Sequence, residues 1–353
     1  MNKYIKYIKI LAIVLLVVII GILTYYNYAI GSISKDDKEI IFVVSKDSTF
    51  NSISNQLVTS GLIRNELIYK VYIKLNNPVT LKAGTYKFSK AMSLNDIVTI
   101  LESGSSYNPD VVTLQIPEGK NIEQIAALAA TVTTNTSEQL IAYWDSKVFV
   151  DKVIAKYWFI DNDILKIGIR HPLEGYLFPS TYELLNKDVT PEYIAYKLLD
   201  QMDIILTKYK NAIDAQDLTI HELLTLTSIV QYESGETTVM KDIAGVFYNR
   251  LAAGWKLQSS VTVCYAIGDV KHWTDCEFNS SLKSPYNTYY YAGLPIGPIL
   301  NFGEAALSST LNPNDNNYFF FLANVCDPKD TKTYFSTTLA QHNKYKAQYL
   351  TCY

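Results

Sequence analysis

One carboxylate in this sequence stands where a proton-transfer reaction would want it. The stretch LLTLTSIVQYESG, residues 223–235, spaces its apolar residues as a helix does and sets Glu233 among them. At about 100° per residue, Leu223, Leu226, Ile229 and Val230 share one side, and Glu233 projects between Leu226 and Ile229. Tyr232 points nearly the opposite way. A Glu is rarely buried without a partner or a purpose. Withdrawal from water penalises the ionised form and raises the carboxyl pKa. An acid that holds its proton near neutral pH suits the cleavage of a glycosidic bond from an apolar pocket. Periodicity alone leaves two plainer readings open. Glu233 could pair with a nearby Arg such as Arg250, or the helix end could fray and let the side chain reach water.

Other chemistries find fewer of the residues they need. There is no GxxxxGK[ST] and no GxGxxG, which argues against nucleotide binding. His171, His221, His272 and His342 are scattered and no HExxH occurs, so no metal or organic cofactor is implied. Ser280 to Lys283 reads SxxK, but no KTG partner follows it. The net charge is −3 and no basic cluster tracks along a face, so a nucleic-acid partner has no electrostatic support. The 28 tyrosines could stack on sugar faces or serve ordinary surface and core packing. None of the four cysteines has zinc-site spacing. In an exported domain Cys264 and Cys276 would close a short loop, with free thiols as the alternative.

The elements that must position these residues begin with a membrane signal. Lys3, Lys6 and Lys9 precede an uncharged run from Ile10 to Ile30. That run approximates the roughly 20 residues a bilayer-spanning helix needs. Tyr25, Tyr26 and Tyr28 lie where an interfacial aromatic belt belongs, and the lysines keep the N-terminus cytoplasmic. The expected location is therefore the cell membrane, single-pass, with the remaining chain outside. A cleaved signal peptide, read at Ala29 and Gly31, is the competing account.

The expected organisation is a cytoplasmic stub over 1–9, an anchor over 10–30, a linker over 31–39, a small αβ module over 40–107 and a larger domain over 108–353. In the module, IIFVVS and AGTYKF read as strands. A helix follows Ser48 or Asp47 as cap and ends at Gly61. Another spans NELIYKVYIKLN before Pro78, and a third runs from Ser93 as cap to Gly104. In the larger domain, VVTLQIPEGKNIEQIAALAA reads as strand, turn and helix. HPLEGYLFPSTYEL, with its two prolines and glycine, reads as an ordered loop. Thr219 with Glu222 forms a capping-box pattern that starts the Glu233 helix. The fold class is α+β.

Five blocks in order carry a family resemblance. They are LEGYLFPSTYEL (173–184), LLTLTSIVQYES (223–234), VFYNRLAAGWKLQSSVTVCYAIG (246–268), SPYNTYYYAGLPIGPILNFGEAALSSTLNP (284–313) and YFSTTLAQHNK (334–344). They resemble the endolytic murein transglycosylases of the YceG-like family. The resemblance implies that Glu233 is the catalytic acid and base, with Gln231 where the family string has a first Glu. It implies glycan strands of peptidoglycan as substrate, cell-wall synthases (penicillin-binding proteins) as partners, and a LysM-like module ahead of the catalytic domain. A non-catalytic glycan-binding scaffold and a muramidase that adds water are the alternatives.

Candidate substrate contacts lie inside these blocks. Asn249, Gln258, Asn287 and Asn301 are neutral amides suited to acetamido and hydroxyl groups, though each alone is as readily a loop or capping residue. Tyr176, Tyr286 and Tyr289 could line a cleft or pack. Thr288, Ser336, Thr338 and His342 complete the set, and Glu174 either orders its loop or binds sugar. Ser260 and Val261 replace an Asp-Pro of the family pattern, and Ile296 replaces a Pro. Glu233-Ser234 is similar to the Glu-Ser pair of lysozyme-like transglycosylases.

Overall fold

The computed structural model describes residues 2–45, 48–78, 80–104, 110–268, 270, 274–324, 326, 327, 330 and 332–350, in two compact units, Met1–Asp110 and Val111–Tyr353. In the first unit a long helix, α1 (Asn2–Ile30), contains the 25-residue apolar stretch Lys6–Ile30, whose most apolar part has mean hydropathy 2.8 and no buried residue. That length and apolarity meet what a bilayer crossing requires, and equally what a signal sequence presents. Its last turn docks on the module that follows: Ala29 is buried, and Tyr26 and Ile30 pack against the module core. The last carbonyls of a helix lack intrahelical donors. Arg64 supplies a donor to one of them, Tyr28 (3.2 Å), and to the carbonyls of Gly31 (2.6 Å), Ser32 (2.6 Å) and Ile33 (3.2 Å) just past the helix.

The module runs β1 (Ile40–Val44), α2 (Phe50–Thr59), α3 (Glu66–Asn76), β2 (Gly84–Phe88) and α4 (Leu94–Ser103). The two strands pair antiparallel, Phe42 opposite Tyr86 and Ile40 opposite Phe88. Strand alternation puts Phe42 and Val44 in the core and leaves Ile41 and Val43 exposed. Both expected strands and all three helices are present. The cap of α2 differs from expectation: Thr49 takes that role in a reciprocal capping box with Ser52, while Asp47 lies outside the described residues. Ser93 and Gly104 bracket α4 as read from the sequence.

The second unit runs β3 (Val112–Gln115), α5 (Ile122–Val132), α6 (Ser137–Trp144), α7 (Lys147–Lys156), β4 (Thr181–Leu184), α8 (Pro191–Lys208), α9 (Lys210–Asp214), α10 (Ile220–Glu233), α11 (Thr237–Ala252), α12 (Ser260–Ile267), α13 (Thr274–Phe278), α14 (Glu304–Leu311), β5 (Phe320–Ala323), β6 (Thr333–Ser336) and α15 (Leu339–Tyr349). Its strands form two antiparallel pairs, β3 with β4 and β5 with β6, so among the described residues the fold is α+β with helices dominant. The expected loop over 171–184 is irregular only as far as Ser180. It then becomes β4, with Tyr182 opposite Leu114. After the second proline the alternation Thr181-Tyr182-Glu183-Leu184 turns Tyr182 and Leu184 inward, and that period of two signals a strand.

The Glu233 helix also departs from expectation. It starts as read, with Thr219 and Glu222 in a capping box. It does not have one apolar arc, because His221 and every residue from Leu223 to Val230 is buried. Its hydroxyls are accommodated by bonding back to the helix: Thr225 to the His221 carbonyl (2.7 Å), Thr227 to Leu223 (2.8 Å) and Ser228 to Thr225 (2.7 Å). Satisfied internally, Thr and Ser pack as small apolar residues, and the amphipathic wheel misreads them as a wet face. Leu226→Ala at the centre of this helix is expected to cost about 2–5 kcal/mol. Calorimetry of the full chain in detergent checks this, and an unchanged unfolding midpoint would contradict the central position of α10.

Candidate active site at the end of the buried helix

α10 stops at Glu233 because Ser234 adopts an extended backbone, φ −155° and ψ 150°. The Ser234 hydroxyl accepts the Glu236 amide at 3.0 Å, which turns the chain into α11. Glu233 is half-buried at this point. Its Oε1 accepts a hydrogen bond from the Ser259 hydroxyl at 2.6 Å. The hydroxyl partner of the acid is thus Ser259, across the site, and Ser234 is engaged in the turn.

Burial raises the Glu233 pKa, against the pull of the Ser259 hydrogen bond and the positive charge of Arg250. The negative end of the α10 dipole acts in the same direction as burial. Arg250 gives Nε to the Phe319 carbonyl (2.6 Å) and Nη1 to that of Leu257 (2.5 Å). It therefore acts on Glu233 through its charge and holds no ion pair with it among the described residues. Tyr289, half-buried, is pushed up to about 12 by burial and by the charges of Glu277 and Glu233.

A hydroxyl cluster lies beneath Ser259. The Ser259 amide donates to Thr288 Oγ1 (3.0 Å), and Thr262 Oγ1 donates to the Ser259 carbonyl (2.7 Å). The Thr262 and Thr288 hydroxyls meet at 3.0 Å. Gln258 precedes Ser259 in a left-handed conformation, φ 50°, with its amide on the Thr288 carbonyl at 3.2 Å. A non-glycine residue held there costs of order 1 kcal/mol and persists only where its surroundings impose it.

The other residues singled out from the sequence divide by what their polar atoms already do. Tyr289 lies close enough to Glu233 to feel its charge, and Gln258, next to Ser259 in the chain, is exposed. Asn249 donates to the carbonyls of Asn316 (2.9 Å) and Tyr318 (3.0 Å), joining α11 to the approach of β5. Asn287 donates to the carbonyls of Ser280 and Leu282 and accepts from the amides of Tyr289 and Tyr290, which shapes its own loop. Tyr286 accepts the Arg170 amide at 3.1 Å, and Tyr176 bonds His221 Nδ1 at 2.8 Å. His221 Nε2 faces the Ile296 carbonyl at 2.9 Å and so carries the proton, which makes Nδ1 the acceptor of the Tyr176 hydroxyl. Thr338 caps α15. Ser336 is buried with no partner for its hydroxyl among the described residues, and His342 stacks on Phe320 at 5.0 Å.

Asn301 is fully buried with Glu174. It accepts the Leu177 amide (2.8 Å) and donates to the Lys120 carbonyl (3.1 Å) and to Glu174 Oε1 (2.9 Å). Glu174 also accepts the Ile122 amide at the start of α5 (3.1 Å) and the Tyr265 hydroxyl of α12 (3.1 Å). It orders its loop and ties it to α5, α12 and the loop of Asn301. Burial pushes the Glu174 pKa up to about 7, partly countered by the Ile122 amide and the charge of His171.

Two further features frame the site. Gln231 Oε1 accepts the Gly303 amide at 2.9 Å, capping α14 with a neutral acceptor. A cavity of about 530 Å³ beside the end of α10 is lined by Lys120, Gln124, Gln231, Tyr232 and Tyr265 among others. The disulfide Cys264–Cys276 forms at its wall, tying α12 to α13. Cys326 is also disulfide-bonded.

The sequence model of the YceG-like family matches residues 42–348. This chain belongs to the YceG-like family. It is 33% identical over 323 residues to the endolytic murein transglycosylase of Bacillus subtilis (strain 168), covering 90% of this chain and 87% of that one. It is 32% identical over 343 residues to the endolytic murein transglycosylase of Streptococcus pneumoniae serotype 2, covering 92% of this chain and 62% of that one. A crystal structure of a yceG-like protein from Listeria monocytogenes covers 88% of this chain with TM-score 0.61 and 37% identity, and all of it is matched.

Within this YceG-like chain, reading by residue type missed Ser259, because a serine in QSSVT carries no periodic signal. It also missed Tyr265, whose hydroxyl partner lies 91 residues away. Glu174 offers a test of the buried cluster. Its folded pKa lies above the ordinary 4.5, so folding favours its protonated form. That contribution is complete below pH 4.5 and is lost as pH rises through about 7. Glu174→Gln keeps an acceptor for the Ile122 amide and removes the titration. It is expected to flatten the decline of stability over this window, measured as denaturation midpoints against pH. An identical slope in the variant would reject the buried-acid account.

Proposed function

We propose that this chain is a membrane-anchored endolytic lytic transglycosylase. It cleaves the β-1,4 bond between N-acetylmuramic acid and N-acetylglucosamine in nascent peptidoglycan and leaves a 1,6-anhydro end. Its YceG-like relatives named endolytic murein transglycosylases support the reaction class. The observation that carries the mechanism is Glu233: an acid raised in pKa by burial, at a helix end, with one hydroxyl donor.

Protonated Glu233 gives its proton to the leaving glycosidic oxygen as the anomeric carbon becomes oxocarbenium-like. The muramoyl N-acetyl group stabilises that carbon from within its own sugar. Glu233, now a carboxylate, takes the proton of the same sugar's C6 hydroxyl, and that oxygen closes on C1. One carboxyl suffices because the nucleophile is internal, which also confers a large proximity advantage. A hydrolase would need a second carboxylate to activate water. The nearest in sequence are engaged elsewhere: Glu236 accepts from Thr238 (2.7 Å) and Asp242 from Asn314 (2.8 Å).

Tyr289 and Gln258 contact sugar directly in this reading. Asn249, Asn287, Asn301, Tyr176, Tyr286, Thr288, Ser336 and Thr338 hold the walls that present those contacts. α1 anchors the protein with its N-terminus cytoplasmic and the second unit outside, where the Cys264–Cys276 disulfide is at home. The small module over 40–107 is a LysM-like unit that touches glycan, and cell-wall synthases supply the nascent strands.

Incubating the full chain in detergent with purified glycan strands, followed by mass spectrometry, tests the reading. Products one water lighter than reducing ends are expected. Reducing ends would indicate a muramidase, and intact strands a scaffold. Glu233→Gln is nearly isosteric and is expected to lower turnover by roughly 10²–10⁴-fold with folding intact. Retained turnover would remove Glu233 from the mechanism.

A further inference from the structure

We propose that Ser259 is a positioning residue for this reaction: its hydroxyl holds Oε1 of Glu233, so that Oε2 is the oxygen that releases and recovers the proton. The inference rests on the reading of Glu233 as the acid. Among the described residues, Glu233 Oε1 is the one acceptor for the Ser259 proton, at 2.6 Å. Ser259 is therefore the donor, and the oxygen it faces is the carbonyl-like oxygen of the protonated acid. The acid proton is left to Oε2.

The serine is built to hold this pose. It is buried, at 3% exposure. Its amide and carbonyl are both gripped by side chains, Thr288 Oγ1 at 3.0 Å and Thr262 Oγ1 at 2.7 Å. The left-handed Gln258 delivers the chain to it at φ 50°. A surface serine that touched Glu233 by accident would need none of these supports.

Each step balances with Ser259 unchanged. Oε2–H breaks as the glycosidic oxygen gains its proton, and the negative charge spreads over both carboxylate oxygens. The Ser259 O–H then donates to an ionised acceptor, and such a bond is shorter and stronger than a neutral one. When Oε2 takes the C6 hydroxyl proton, the starting arrangement is restored. Ser259 thereby favours the carboxylate between the two transfers, while burial favours the acid before the first.

Ser259→Ala removes the donor. In the full chain with glycan strands, kcat is expected to fall roughly tenfold to 100-fold with KM little changed. The alkaline limb of the pH–rate profile, where Glu233 loses its proton, is expected to move to higher pH, because a group that favoured the ionised form is gone. A merely structural loss lowers the rate at every pH and leaves the limb where it was. Ser259→Thr keeps the hydroxyl and is expected to restore both rate and limb. Ser259→Cys, close in size with a weak donor, is expected to lie between, and it serves as the reading if the alanine variant unfolds. A limb and kcat unchanged in the alanine or cysteine variant, with Glu233→Gln inactive, overturns the positioning role and leaves the acid in place. An active Glu233→Gln overturns both.

Discussion

The Glu233 carboxyl is raised in pKa by burial, and the helix that carries it is itself buried at His221 and from Leu223 to Val230. Much of the second unit follows from burying α10. Its hydroxyls return to its own backbone, and Ser228 in addition accepts the Ile299 amide at 3.1 Å, which brings the 296–303 loop against the helix. His221 is locked between the Tyr176 hydroxyl and the Ile296 carbonyl, and burial lowers its pKa so that it packs neutral. A buried helix end raises the pKa of an acid with no second carboxylate beside it, here against the opposing charge of Arg250.

The amides and hydroxyls around the site act mainly by holding loops. Asn301 and Glu174 join α5, the 173–178 loop and the 301 loop through one buried cluster. Gln231 caps α14 with a neutral acceptor. Thr288 and Thr262 perform a similar service for Ser259. In the proposed reaction the chemistry is thereby concentrated on few groups, and a broad polar scaffold positions them.

Much of the fold was legible along the chain. The module's strand and helix order, the caps at Ser93 and Thr219, and the apolar N-terminal helix all rest on local rules of period and capping. The errors were local as well. Thr49, two residues past Asp47, is the cap of α2 because its side chain can complete the reciprocal pair with Ser52. The tail of the 171–184 segment pairs with β3, and a strand of four residues is too short for its period to outweigh the prolines before it.

Residue type and order by themselves determined that one acid would lie in an apolar helix, that a long uncharged helix would lead the chain, and that five blocks would mark it as YceG-like. Only the tertiary structure decided that α10 is buried on all sides, that Cys264 and Cys276 join, and that Ser259 rather than Ser234 or Arg250 holds the carboxyl. Periodicity describes neighbours three and four residues apart. Ser259 reaches Glu233 from 26 residues away and Tyr265 reaches Glu174 from 91, and such meetings are set by how helices pack, for which no local pattern stands.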